Sequence, residues 1–159
     1  MKLRPALLFL LVVPLVTPAL SQDLPLPVAE LDRTEPVDFQ SEILPLLKQN
    51  CLACHHEKEA EGGLILETVE SMTKGGDSGH GVVPGKAEES LLFTRAVGLE
   101  EPLMPPEDNS VGANPLTPEQ LGLLKRWIEE GAEVGKSVMK ESSATSAKRS
   151  VRYQLMKSM

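Results

Sequence analysis

Aromatic residues are scarce in this chain. They make up 3% of it, as one Trp, one Tyr and three Phe, and after residue 21 only Phe39, Phe93, Trp127 and Tyr153 remain. A small domain with so few large side chains has a thin core, and below ~100 residues a staple or a bound group usually completes it. Cysteine is scarcer still. The two present, Cys51 and Cys54, leave no thiol over for a disulfide framework. Long apolar runs are also missing: Ala6 to Val16, broken by Pro14, falls well short of the ~20 residues that span a bilayer. The glycine-rich stretch Gly75 to Gly81 lacks the GxxxxGK[ST] order and the preceding strand of a nucleotide-binding loop. No nucleophile with its base, and no carboxylate pair at a defined spacing, points to substrate chemistry. The chain does not read as an enzyme.

What is present begins with an address. Lys2 and Arg4 precede the short apolar run, and Ala19-Leu20-Ser21 offers small residues for cleavage, so residues 1–21 read as a secretory signal peptide with Gln22 as the mature start. Residues 22–36 are rich in proline and acids and read as a solvated linker. A folded domain is expected over 37–135, and a basic, disordered tail over 136–159. After signal removal no integral membrane span is expected.

The most informative residues are Cys51-Leu52-Ala53-Cys54-His55. Two cysteines two residues apart, followed at once by histidine, form the c-type haem attachment pattern. Its spacing has a chemical reason. Two thiols form thioethers with the two vinyl groups on a porphyrin edge, and the next side chain brings an imidazole beneath the iron as proximal ligand. Zinc is the competing reading, but a closed site usually takes four ligands, and only His55, His56 and His80 are available to join the thiolates. A thioredoxin-like redox pair would need a βαβ context that the sequence lacks. The expected cofactor is therefore one covalent haem c on Cys51 and Cys54, with His55 on the iron.

Helical signals flank the motif. Asp38 can cap a helix carrying Phe39, Ile43, Leu46 and Leu47 and ending before Cys51. Pro45 interrupts it, either kinking the axis or dividing it into two short turns. Gly62-Gly63 marks a turn, Gly75 to Gly81 a flexible loop, and Ala87 to Val97 a helix with Leu91, Leu92 and Ala96 on one face. The last helix has the clearest boundaries: Thr117 as cap, Pro118 first, Gln120 completing a capping box and Gly131 as stop. Trp127 is expected to pack on the first helix and the haem edge.

Between the last two helices, Leu103-Met104-Pro105-Pro106 presents a thioether on a proline-stiffened loop. That is the group a haem iron takes as sixth ligand, and Met/His ligation raises the reduction potential. Met72 falls in an amphipathic segment and Met139 and Met156 in the tail. His80 is the rival ligand, and His56 adjoins His55 too closely to reach the opposite face. Arg95 and Arg126 are candidates to neutralise haem propionates on charge type alone.

Charge is uneven along the chain. From Gln22 to Gly135 there are 22 acidic and 8 basic residues, a net of −14, whereas Lys136 to Met159 has one acid and 6 bases, a net of +5; the first 21 residues carry +2, giving the formal −7 of the whole. Such a domain attracts redox partners with basic docking surfaces and repels nucleic acid.

From Val37 to Ala132 the chain resembles the cytochrome c domain of planctomycete exported proteins, within the wider class I cytochrome c-like superfamily. The resemblance is carried by CLACH, the GGL turn at Gly62 to Leu64, the GGDSG loop, VVPG at Val82 to Gly85, ESLL, LMPP, LTPEQ and RWIEEGA. It implies a small all-α fold of three to five helices and long loops around one covalently bound haem, with Cys51, Cys54, His55 and Met104 at the haem-binding positions. The expected function is one-electron transfer by an exported, periplasmic or cell-envelope monohaem cytochrome. The alternative is a haem-based sensing or docking module, or a fragment of a larger fused redox protein, whose sixth ligand is displaceable.

Overall fold

A computed structural model describes residues 24–135. The expected signal peptide at 1–21 and basic tail at 136–159 lie outside the described residues. Among the described residues there are four α-helices and no strand: α1 (Leu44–Asn50), α2 (Val69–Lys74), α3 (Leu91–Val97) and α4 (Pro118–Glu129). Four helices fall within the three to five expected.

The first helical segment shows what Pro45 does. Asp38 accepts the Ser41 N–H and starts a wide π turn over Phe39–Ile43, which ends with the Leu44 N–H on the Phe39 carbonyl, five residues back. Proline has no N–H to continue that ladder. The chain therefore re-registers, and α1 begins with Pro45 in its first turn and ends at Asn50, directly before Cys51.

The helix expected over Ala87 to Val97 is divided. A 3₁₀ turn over Ala87–Glu89 stops at Ser90, whose backbone is extended, and α3 starts after it. The cause is a side chain competing for backbone partners. The Ser90 hydroxyl accepts the Val83 N–H at 2.9 Å and donates to the Lys86 carbonyl at 2.8 Å. The glycine stretch also differs from a loose loop: Gly76 and Gly79 bond each other's backbone, and the Asp77 N–H reaches the Gly62 carbonyl at 2.8 Å.

Helix α4 is bounded as its sequence implies. Thr117 and Gln120 form the reciprocal capping box, and Gly131 turns the chain out with φ +104°. Its inner face, Leu121, Leu124, Trp127 and Ile128, is buried together with Phe39, Ile43, Leu47, Leu66, Met72 and Val82. Trp127 stacks on Phe39 at a ring distance of 5.4 Å, and its Nε1 donates to the Glu133 carbonyl at 3.0 Å. Such a pair adds roughly 0.5–1.5 kcal/mol beyond its buried area.

Residues 24–36 have no helix or strand, yet they lie against the helices as a strap. Leu26 donates to the Val97 carbonyl and Ala29 to the Pro118 carbonyl, while Leu26 and Val28 pack on the core. The Arg33 guanidinium joins Glu42 at 2.6 Å and 3.3 Å. At the other end, the Glu130 carboxylate takes the Val37 N–H at 2.7 Å and Arg126 Nε at 2.8 Å. Strap and helix meet backbone to backbone at Gly122. A Cβ there would stand 2.2 Å from the Ala29 carbonyl oxygen, which is why α4 carries a glycine in its interior.

Candidate haem site

The site starts at the end of α1, where the chain leaves the helix without losing its hydrogen bonds. The N–H groups of Cys51 and Leu52 both reach the Leu47 carbonyl, and those of Cys54 and His55 both reach the Cys51 carbonyl. This tight turn is then pinned from the other side. The Cys54 carbonyl accepts the Glu61 N–H at 3.0 Å, and the His55 carbonyl accepts the Leu66 N–H at 2.8 Å.

The same segment orients the His55 ring. Its Nδ1 lies 3.3 Å from the Leu64 carbonyl oxygen. A carbonyl only accepts, so the bond belongs to the tautomer with the proton on Nδ1, which leaves the Nε2 lone pair for a metal.

The Met104 N–H donates to the Arg95 carbonyl at 3.0 Å, which ties the Met104 loop to the last turn of α3. Asn109 closes that loop. Its side chain donates to the Pro106 and Ala113 carbonyls at 2.6 Å and 2.8 Å and accepts the Ala113 N–H at 2.8 Å.

Between these walls lies a cleft of about 390 Å³, within the few hundred Å³ typical of a cofactor pocket. Cys51, Cys54, His55 and Met104 all line it, with an apolar wall that includes Leu47, Leu92 and Leu124. Three residues separated by about fifty positions from a fourth are thus brought to one cavity. Arg95 lines it as well, and its Nε is buried with no hydrogen-bond partner.

The other candidates are placed elsewhere. His80 does not line the cleft; it is exposed, with Nδ1 2.6 Å from the Thr73 carbonyl. His56 accepts the Glu59 N–H. Met72 is fully buried in the core. Arg126 is committed to Glu130 and to the Leu31 carbonyl. Trp127 packs on Phe39 as expected, but Leu124 rather than Trp127 lines the cavity. Asn50 and Asn109 line the cleft and had no signal beyond being asparagines near a motif and in a loop. Among the described residues no group of three or more His, Cys, Asp or Glu side chains is placed to hold a metal ion, which is the grouping a zinc site requires.

Burial pushes the Cys51 thiol up to about 12, helped by the nearby Cys54, and burial also raises Cys54, followed by the charges of Glu61 and Glu59. Reactive redox pairs go the other way, toward a stabilised thiolate.

Residues 51–108 match the Planctomycete cytochrome C family. The matched segment runs from the first cysteine of the motif through Met104 to Asp108, and therefore includes most of the cleft wall while leaving α1 and α4 outside. A cytochrome c domain and haem c are what this family implies. Neither the search of curated proteins nor that of solved structures finds a match to the chain. The residues present fit that cofactor: an apolar cleft, paired cysteines at its edge, a histidine with a hydrogen-bonded Nδ1 and a buried unsatisfied guanidinium nitrogen. No helix of the described residues is long and apolar enough to cross a membrane.

Proposed function

We propose that the chain is an exported monohaem c-type cytochrome that carries single electrons between redox proteins. The observation that carries this reading is the convergence of Cys51, Cys54, His55 and Met104 on one apolar cleft. Cys51 and Cys54 would hold the porphyrin through thioethers, and His55 and Met104 would ligate its iron. When bound, the group supplies a one-electron iron couple whose potential is set by its axial ligands and by the polarity around it.

The protein's part is to hold and shield. The Leu64 carbonyl keeps the His55 ring in the ligating tautomer, the Arg95 carbonyl and Asn109 set the Met104 loop, and leucines give the cleft its apolar wall. With His55 and Met104 both on the iron, no coordination site would be left for a substrate, which favours a carrier over a catalyst. The acidic domain favours encounter with basic partners, with rates that fall as salt rises.

Export follows from the basic, apolar and small-residue order of Lys2 to Ser21. The test is to express the full chain with a haem-attachment system, sequence the N-terminus of the periplasmic protein and denature it. A start at Gln22 and haem that stays with the chain support the reading. A colourless periplasmic protein contradicts it.

A further inference from the structure

We propose that Arg95 is the anion anchor of the cleft, and that the anion it takes is a propionate carboxylate of the bound haem. The proposal rests on the reading of the cleft as a haem site. Four observations support it. First, Arg95 contributes the one Lys or Arg side chain among the cleft's lining residues, whose other charged groups are the acids Glu61 and Asp108. Second, its Nε is buried and unpartnered, and a buried donor without a partner costs about 1–3 kcal/mol.

Third, its visible ion pair does not meet that need. Nη2 stands 3.8 Å from Glu100 Oε1, beyond hydrogen-bond distance, and the Glu100 side chain is half exposed. Glu100 therefore leaves the buried Nε of the guanidinium unsatisfied. Fourth, the backbone of the same residue carries Met104 through its carbonyl, so an anion held by Arg95 also fixes the loop that brings the thioether. A planar guanidinium binds a carboxylate through two parallel bonds, which lysine cannot reproduce.

The charge has a direction of effect. A cation held beside the cleft favours the iron's reduced form, and a propionate without its partner would place an uncompensated negative charge there. Arg95 is thus a positioning residue that raises the reduction potential.

The experiment compares the full-chain holoprotein with its R95Q, R95K and E100Q variants. Covalent haem content after denaturation, the midpoint potential and the propionate bending bands in resonance Raman spectra are measured for each. R95Q is expected to keep its covalent haem while its preference for the electron falls about tenfold, ~59 mV for one electron, with the propionate bands shifted. R95K is expected to recover part of the potential but not the bands, because it keeps the charge and loses the fork. E100Q is expected to leave the bands in place.

R95Q with haem attached and with potential and bands unchanged overturns the proposal, as does an E100Q variant that reproduces the R95Q changes, since Arg95 would then serve Glu100. If R95Q does not accumulate, R95K decides: bands identical to the unmodified protein's overturn the proposal, and shifted bands support it. Haem missing from the unmodified protein would overturn the cleft reading and this proposal together.

Discussion

The Nδ1 of His55 lies 3.3 Å from the carbonyl oxygen of Leu64, nine residues on. The Leu66 N–H returns the connection to the His55 carbonyl, so ring and backbone of one residue are both held by the short segment after the Gly62-Gly63 turn. Replacing His55 by alanine removes the proposed ligand but neither cysteine. The expected product keeps at most a small fraction of its covalent haem and shows no six-coordinate low-spin spectrum. A low-spin spectrum equal to that of the unmodified protein would assign the proximal position to another residue.

The strap provides a second prediction. Exchanging an interior helical glycine for alanine ordinarily gains up to ~1 kcal/mol, but at Gly122 the new Cβ would meet the Ala29 carbonyl at 2.2 Å. Gly122→Ala should destabilise the holoprotein by about 2 kcal/mol, which lowers the thermal midpoint by roughly 8–16 °C for a domain of this size. A melt unchanged or higher would show that the strap does not lie on α4.

A third concerns pH. The Glu42 carboxyl is held below the usual carboxylate range, first by its hydrogen bond with the Arg33 guanidinium and against a smaller desolvation effect; the Asp38 N–H also lowers it. A depressed pKa contributes stability above the unfolded value of about 4.3, and that stability is lost as pH falls through the folded value. Because both side chains are partly exposed, the pair is worth about 1 kcal/mol at most. Denaturant melts of Glu42→Gln should therefore fall below the unmodified protein at pH 7 and converge with it as pH falls below the usual carboxylate range. A constant gap across that range would assign the effect to packing.

Much of this was legible in the sequence where the signal is local. The Thr117 and Gln120 capping box, the helix end before Cys51 and the interruption at Pro45 each depend on residues within a few positions, and each is readable in the sequence. The division at Ser90 was not, because its hydroxyl is engaged by Val83 and Lys86 and nothing in a helical period announces that. The strap was read as a solvated linker because backbone bonds such as Leu26 to Val97 and Ala29 to Pro118 have no residue signature. Gly122 was the trace it left. At the site, all four named residues line one cleft, while Asn109 was missed because its partners are backbone carbonyls of its own loop.

That loop gives a fourth prediction. Asn109→Ala removes three hydrogen bonds around Met104, each worth about 0.5–1.5 kcal/mol. The sulfur-to-iron absorption band should then bleach at a lower temperature than in the unmodified protein, while global unfolding shifts less. Coincident loss of band and fold in both proteins would mean that Asn109 does not hold the loop.

The most direct test of the account is the visible absorption spectrum of the full chain expressed with a haem-attachment system, oxidised and reduced, beside Met104→Ala. Covalent haem that survives denaturation, with a sulfur-to-iron band present in the unmodified protein and gone from the variant, is the result expected for a His55 and Met104 cytochrome. Covalent haem with an identical spectrum in the variant would move the sixth ligand elsewhere, and no haem at all would contradict the reading of the cleft.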